Sequence, residues 1–157
     1  MAIWQFVFGL VPTQWSGKVG NGPELLVDSD GCCDLGTAWR EYEPDPRLIS
    51  LISKVLPESV SWDADLKCWG DDKGSDIQVW YEGGQVESVM VRLDTRTDTE
   101  RLCASVVDLA QALDCALYLQ ATKAIIAPDI STLGKAIAES NAARFSADPR
   151  EFLRRQH

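Results

Sequence analysis

A chain of 157 residues, 45% hydrophobic and 25% charged, is long and apolar enough to bury a real core as one globular domain over residues 1–157. Its net charge of −9 is uneven: residues 1–82 hold 14 acidic and 6 basic side chains, whereas residues 83–157 hold 10 and 9. That balance argues against nucleic-acid binding, which needs clustered Lys and Arg, and no apolar run approaches the roughly 18 residues of a membrane span.

Ile3 to Pro12 is apolar at odd and even positions alike, which predicts a strand over 3–11 covered on both faces. No basic segment precedes it and no small-residue cleavage site follows, so it reads as part of the mature fold rather than a signal peptide. Residues 12–43, punctuated by Pro12, Gly17, Gly20, Gly22, Pro23, Gly31 and Gly36, are the least regular stretch, with Leu25-Leu26-Val27 as a short strand inside it. Asp45-Pro46 predicts a helix start, with Asp as N-cap and Pro where the N–H lacks a partner anyway. Leu48, Ile49, Leu51, Ile52, Val55 and Leu56 supply its apolar face, and Pro57 ends it.

Trp62 to Arg96 spells an antiparallel meander, the expected centre of the fold, with strands at 66–70, 77–81 and 86–94. Its second hairpin admits two registers. A two-residue Gly83-Gly84 loop pairs Tyr81 with Val86 and sets Ile77, Val79 and Tyr81 beside Ser88, Met90 and Arg92. A three-residue loop, Glu82-Gly83-Gly84, with Gly84 left-handed at a bulge, instead puts Ile77, Val79 and Tyr81 on one face with Val89, Val91 and Leu93. The second gives an apolar core face and is the register expected, leaving Gln78, Trp80, Val86, Ser88, Met90 and Arg92 on the opposite face. Thr97-Asp98-Thr99-Glu100 then reads as a capping box ahead of a helix with Leu102, Val106, Leu109 and Leu113 inward. Strands at 115–119 and 123–127, a helix opened by Pro128-Asp129 with Ile130, Leu133, Ala136 and Ile137 inward, and a last helix opened by Asp148-Pro149 complete the chain. The order predicts an α+β fold: a mainly antiparallel sheet with helices on one face.

The chemistry is constrained by what is missing. The single histidine is His157, the last residue, a poor place for a general base or a metal ligand. Cys32, Cys33, Cys68, Cys103 and Cys115 contain no Cys-x-x-Cys pair, so no zinc site, other metal or cofactor is expected. They read as buried free thiols in the reducing cytoplasm. Asp28, Asp30 and Asp34 disfavour a reactive thiolate at Cys32-Cys33. Gly17 to Gly22 fits no nucleotide loop, and Asp28 to Gly31 and Asp71 to Asp76 fit no calcium loop; all read as turns. Asp94 beside Arg92 and Arg96 reads as a surface ion pair at a strand end, and no catalytic residue is assigned. Trp4, Trp69 and Trp80 fall in expected strands; Trp15, Trp39 and Trp62 fall in loops. An aromatic among carboxylates suits a basic partner. The candidate surface is Asp71, Asp72, Asp76, Trp80, Glu82, Met90 and Arg92. The plain alternative is that the acidity serves solubility alone.

Val91-Arg92-Leu93-Asp94-Thr95-Arg96, Ile126-Ala127-Pro128 and the run from Ser140 through Phe145 to Asp148-Pro149-Arg150-Glu151-Phe152-Leu153 are similar to a pattern in small uncharacterised bacterial proteins. Some proteins of that general size and acidity resemble immunity proteins of toxin systems. The resemblance spans roughly residues 62–153 and carries no catalytic motif. It implies a bacterial source and a non-enzymatic role. The net acidity, the absent catalytic histidine and the exposed-aromatic candidates then give the leading reading: a small acidic protein-binding domain, immunity-like and without catalytic activity, that masks a basic protein. Two other readings stand beside it. One is a small-molecule-binding or carboxylate-based enzyme domain with its pocket under the 12–43 segment; the other is a structural subunit that dimerises through its sheet face.

Overall fold

The computed structural model describes residues 1–156, so His157 lies outside the described residues. Among these, seven strands form one antiparallel sheet in the order β2-β3-β4-β5-β1-β6-β7. The strands are β1 (Gln5–Pro12), β2 (Glu58–Ser59), β3 (Leu66–Gly70), β4 (Asp76–Glu82), β5 (Gln85–Asp94), β6 (Cys115–Leu119) and β7 (Ala124–Ile126). The helices are α1 (Thr13–Ser16), α2 (Gly36–Trp39), α3 (Leu48–Ser53), α4 (Glu100–Ala112), α5 (Ile130–Ala138), α6 (Asn141–Ala147) and α7 (Pro149–Arg155). The α+β class follows directly. None of the helices is long and apolar enough to cross a membrane.

β1 is apolar from Phe6 onward because it lies inside the sheet, between β5 and β6, with all eight residues buried, the polar Gln5 included. A row of side chains runs across six strands on one face: Trp69, Ile77, Val91, Phe8, Leu119 and Ala124. This is the helical face. The Trp69 indole N–H donates to Ser53 Oγ on α3 at 3.1 Å. Arg47 Nη2, just before α3, reaches Ala112 O at the end of α4 (3.3 Å), and Gln111 of α4 donates to Pro128 O ahead of α5 (2.9 Å). Cys103, Val106, Val107 and Ala110 of α4 and Leu133 and Ile137 of α5 join Phe8, Leu10, Leu93 and Leu117 in one core.

The opposite face carries the row Cys68, Gln78, Met90, Gly9, Tyr118 and Ile125. Over β1 and β6 it is roofed by the 13–43 segment. Its 3-10 turn Pro23–Leu26 buries Leu26, α2 buries Ala38 and Trp39, and the Trp39 indole donates to Leu10 O at 2.9 Å. Gly9 makes the close approach possible: a Cβ there would collide with Leu35 Cδ1 and press on Met90 Sδ at 3.1 Å.

Several local expectations give way to the observed structure. Leu25-Leu26-Val27 is not a strand: Pro23 starts a 3-10 turn, and only Val27 bridges, to Cys33. α3 begins at Leu48 rather than at Asp45-Pro46, because the Asp45 carboxylate accepts from the Arg47 N–H (2.8 Å) and guanidinium and so forms a turn instead of a cap. The capping box at Thr97 is not made; Thr97 Oγ1 donates to Asp94 O, and Asp98 Oδ1 accepts from Glu100 N. The buried stripe of α4 is displaced toward Cys103, Val106, Val107 and Ala110, with Leu102 and Leu113 at its border. Ile130 is exposed, and α6 is an additional helix, capped by Ser140, whose hydroxyl accepts from Ala143 N. The two Asp caps at 129 and 148 form as expected, each side chain accepting from a backbone N–H three residues on.

The hairpin is a composite. Gly83 and Gly84 form a two-residue loop with φ of +57 and +81, and Tyr81 pairs with Val86. A bulge between Trp80 and Tyr81 then absorbs Glu87, so that Val79 faces Val89 and Ile77 faces Val91. The expected core face survives, but a bulge produces it rather than a three-residue loop. Val86, expected on the opposite face, follows Tyr81 into the core.

Candidate functional site

Among the described residues no helix covers the second face over β3 and β4, while α2 reaches the part of β5 around Met90 and Glu87; most of the candidate residues sit on the uncovered part. Side chains two apart on a strand share a face, and β4 uses this to line up Asp76, Gln78 and Trp80. Asp76 is 2% exposed. Arg92, opposite it on β5, donates Nε to Asp76 Oδ1 at 2.7 Å and Nη2 to Oδ2. Gln78 Nε2 also donates to Asp76 (3.2 Å), and the Trp80 indole donates to Gln78 Oε1 (3.3 Å). Trp62 closes the row, edge-on to Trp80 with ring centroids 6.5 Å apart. The bonds to Asp76 hold the Arg92 guanidinium still further above its ordinary range, against the opposing pull of partial burial. Asp76 and Arg92 thus meet each other first, and little of either is left for a partner.

The turn between β3 and β4 is held at several points. Asp71 Oδ1 accepts from Lys73 N (3.0 Å), and Gln5, from β1, donates to the carbonyls of Asp72 (3.0 Å) and Gly74 (2.7 Å). The Trp4 indole and Arg96 Nη2 both donate to Lys73 O. Arg96 stacks 4.0 Å over the Trp4 ring and chelates Asp94 through Nε and Nη2, both at 2.9 Å. Those hydrogen bonds hold the Asp94 carboxyl below the ordinary carboxylate range. Asp94 therefore pairs with Arg96 alone, and it is not the raised-pKa acid that a carboxylate enzyme would want at this position.

Between this turn and the turn after β2 lies a cleft of about 250 Å³ lined by Val60, Trp62, Cys68, Asp71, Asp72 and Asp76, among others. Val60 is 95% and Trp62 62% exposed. Asp71 and Asp72 are exposed, and among the described residues neither is in a salt bridge.

Five of the seven candidate residues, Asp71, Asp72, Asp76, Trp80 and Arg92, are thus brought together. The other two are elsewhere. Glu82 pairs with Gln85 at the far end of β4, near Gly36, Arg40 and Glu87. There burial, then Glu82 and Asp34, raise the Glu87 carboxyl. Met90 packs beside Gly9, under Leu35. Val60 and Trp62 complete the surface and were not among the candidates. Their mark in the sequence is isolation: two large apolar residues among Ser59, Ser61, Asp63 and Asp65 with no apolar periodicity to bury them.

The remaining chemistry is quiet. Cys68, Cys103 and Cys115 are buried, Cys33 is half-buried, and Cys32 is exposed, contrary to the expectation of burial for all five. Burial, then Asp34 and Asp28, push the Cys33 thiol up to about 11, which keeps it protonated and a poor nucleophile. Among the described residues, no three His, Cys, Asp or Glu side chains are grouped to hold a metal ion. No family model, curated protein or solved structure matches the chain.

Proposed function

We propose that this chain is a small acidic protein-binding domain without catalytic activity. It masks a basic protein with the uncovered face of its meander, in the manner of bacterial immunity proteins. The observation that carries the reading is the exposure of Val60 and Trp62 beside Asp71 and Asp72, in a chain of net charge −9. An apolar anchor with an acidic rim is the form of a steered interface: the aromatic contributes contact energy and the carboxylates speed encounter with a positive partner. The free cysteines suit the reducing cytoplasm as the place of action.

The test is capture from native lysate at low and at high salt. A basic protein should be retained at low salt and released as the Debye length shrinks. Retention of nothing at low salt overturns the reading. A toxin gene beside the gene for this chain supports the immunity-like form of it, and a metabolic neighbourhood counts against that form. Light scattering across concentrations addresses the competing structural-subunit reading, in which the same face would close on a second copy and the mass would double from 17.3 kDa.

A further inference from the structure

We propose that the cleft between the Val60–Trp62 turn and the Asp71–Asp72 turn seats an arginine side chain of the partner, stacked on the Trp62 indole and neutralised by the two carboxylates. This rests on the basic-partner reading above and names the group that partner must present. The fold supplies the full pattern once, at Arg96, and its carboxylate half a second time, at Arg92, which among the described residues stacks on no ring. On one side of the 71–75 turn, Arg96 lies 4.0 Å over Trp4 and is chelated by Asp94. On the other, Arg92 is chelated by Asp76 in the row that ends in Trp80 and Trp62. At the cleft the aromatic and the carboxylates are present again, and among the described residues no Lys or Arg is ion-paired to Asp71 or Asp72. Arg92 and Arg96 sense Asp72 and Asp71 respectively, but each is already committed to its own carboxylate. Exposed Asp63 and Asp65, on the turn that follows Trp62, add to the same negative surface.

Size and chemistry select the occupant. A volume of about 250 Å³ suits one long side chain better than a drug-sized ligand, whose pockets run from about 300 to 1,000 Å³. Exposed Val60 offers an apolar wall to the aliphatic stem. A planar guanidinium can stack on an indole and hydrogen-bond to carboxylates at once, whereas an ammonium acts as a compact point charge.

The experiment is a titration of the ¹⁵N-labelled chain with a short arginine-glycine peptide and with its lysine-glycine counterpart, read by NMR. The arginine peptide should move the Trp62 and Trp80 indole signals and the Asp71 and Asp72 amides saturably, and should bind more tightly than the lysine peptide. Trp62→Ala should weaken it about two- to fivefold, the loss expected of an exposed cation–π contact. Asp71→Asn with Asp72→Asn should weaken it and flatten its salt dependence; Asn retains an oxygen for the Lys73 N–H, and unchanged signals elsewhere report an intact fold. If Trp62→Ala does not fold, the Asn pair decides. Equal response to the two peptides, or shifts that persist unaltered in the Asn pair, overturns the proposal. Failure here is separable from failure of the wider reading. A basic lysate protein still captured by the triple variant W62A/D71N/D72N overturns the cleft and leaves the binding domain standing. A chain that binds the arginine peptide in the cleft but captures no basic protein does the reverse.

Discussion

Arg92 and Asp76 stand opposite each other on β5 and β4, with the carboxylate almost fully sealed from water. Removing one partner of such a pair strands the other charge. Arg92→Ala should therefore cost about 3 kcal/mol, the low end of the range for broken buried pairs because Arg92 keeps some contact with solvent. Replacing both residues with apolar ones of similar volume should cost far less. Urea denaturation of the single and double variants checks this; equal losses would mean that the pair's volume, not its charge, is what matters. Asp94 behaves differently with pH. Arg96 lowers its folded value, so the folded chain takes up that proton less readily than the unfolded chain. Its contribution is complete well above the unfolded value of about 3.9 and is lost as pH falls through the lower folded value. The stability gap between wild type and Asp94→Asn should accordingly shrink below about pH 4 in denaturant melts. The expected three-residue loop puts Asp76 and Arg92 on one face but pairs Asp76 with Met90; the observed loop and bulge are what bring Arg92 directly opposite Asp76. The desolvation of the pair is not legible, because that depends on the turns at 60–62 and 71–75 folding back over the strand.

The elements differ in how far local pattern determines them. β1, β3, β4, β5 and β6 are legible because alternation or a continuous apolar run, bounded by turn residues, leaves few other solutions. The short pieces are less so. Asp45-Pro46 is a sound helix-start signal, but a nearby arginine competed for the same carboxylate and delayed α3 to Leu48. A bulge is legible from the hairpin's apolar pattern, but its place is not: it falls at Glu87, behind a two-residue loop, rather than at Gly84. The clasp between β1 and the 13–43 segment gives a sharper test at this scale. Gly9→Ala should destabilise by about 1–3 kcal/mol through overpacking against Leu35. The added cost should largely vanish in a Leu35→Ala background, so a double-mutant cycle should show strong coupling. Simple additivity would place the strain elsewhere.

At the scale of the whole molecule, the sheet is clad unequally. Helices cover most of one face, an irregular wrap covers part of the other, and the meander's remainder is left to Trp62, Trp80 and their acidic turns. Both outer strands are short, two residues in β2 and three in β7, which limits pairing at the edges and leaves the uncovered face as the broad surface for contact. The legible meander contains that uncovered region of the face. Its limits came from layers contributed by residues far away in sequence, such as Leu35 over Met90.

The glycine under that wrap has a consequence for motion. Among the described residues the 13–43 segment holds one-turn helices, a 3-10 turn and the single Val27–Cys33 bridge, and it docks through side chains such as Leu35 and Trp39 rather than through a ladder to the sheet. It should therefore detach as a unit well below the free energy of global unfolding. Native-state hydrogen exchange should show its amides exchanging through a shared sub-global opening while β1 and β5 exchange only with the whole fold. Such a chain would breathe on the face next to the proposed binding surface, and a partner that also touched the wrap would be felt as slowed exchange across all of it.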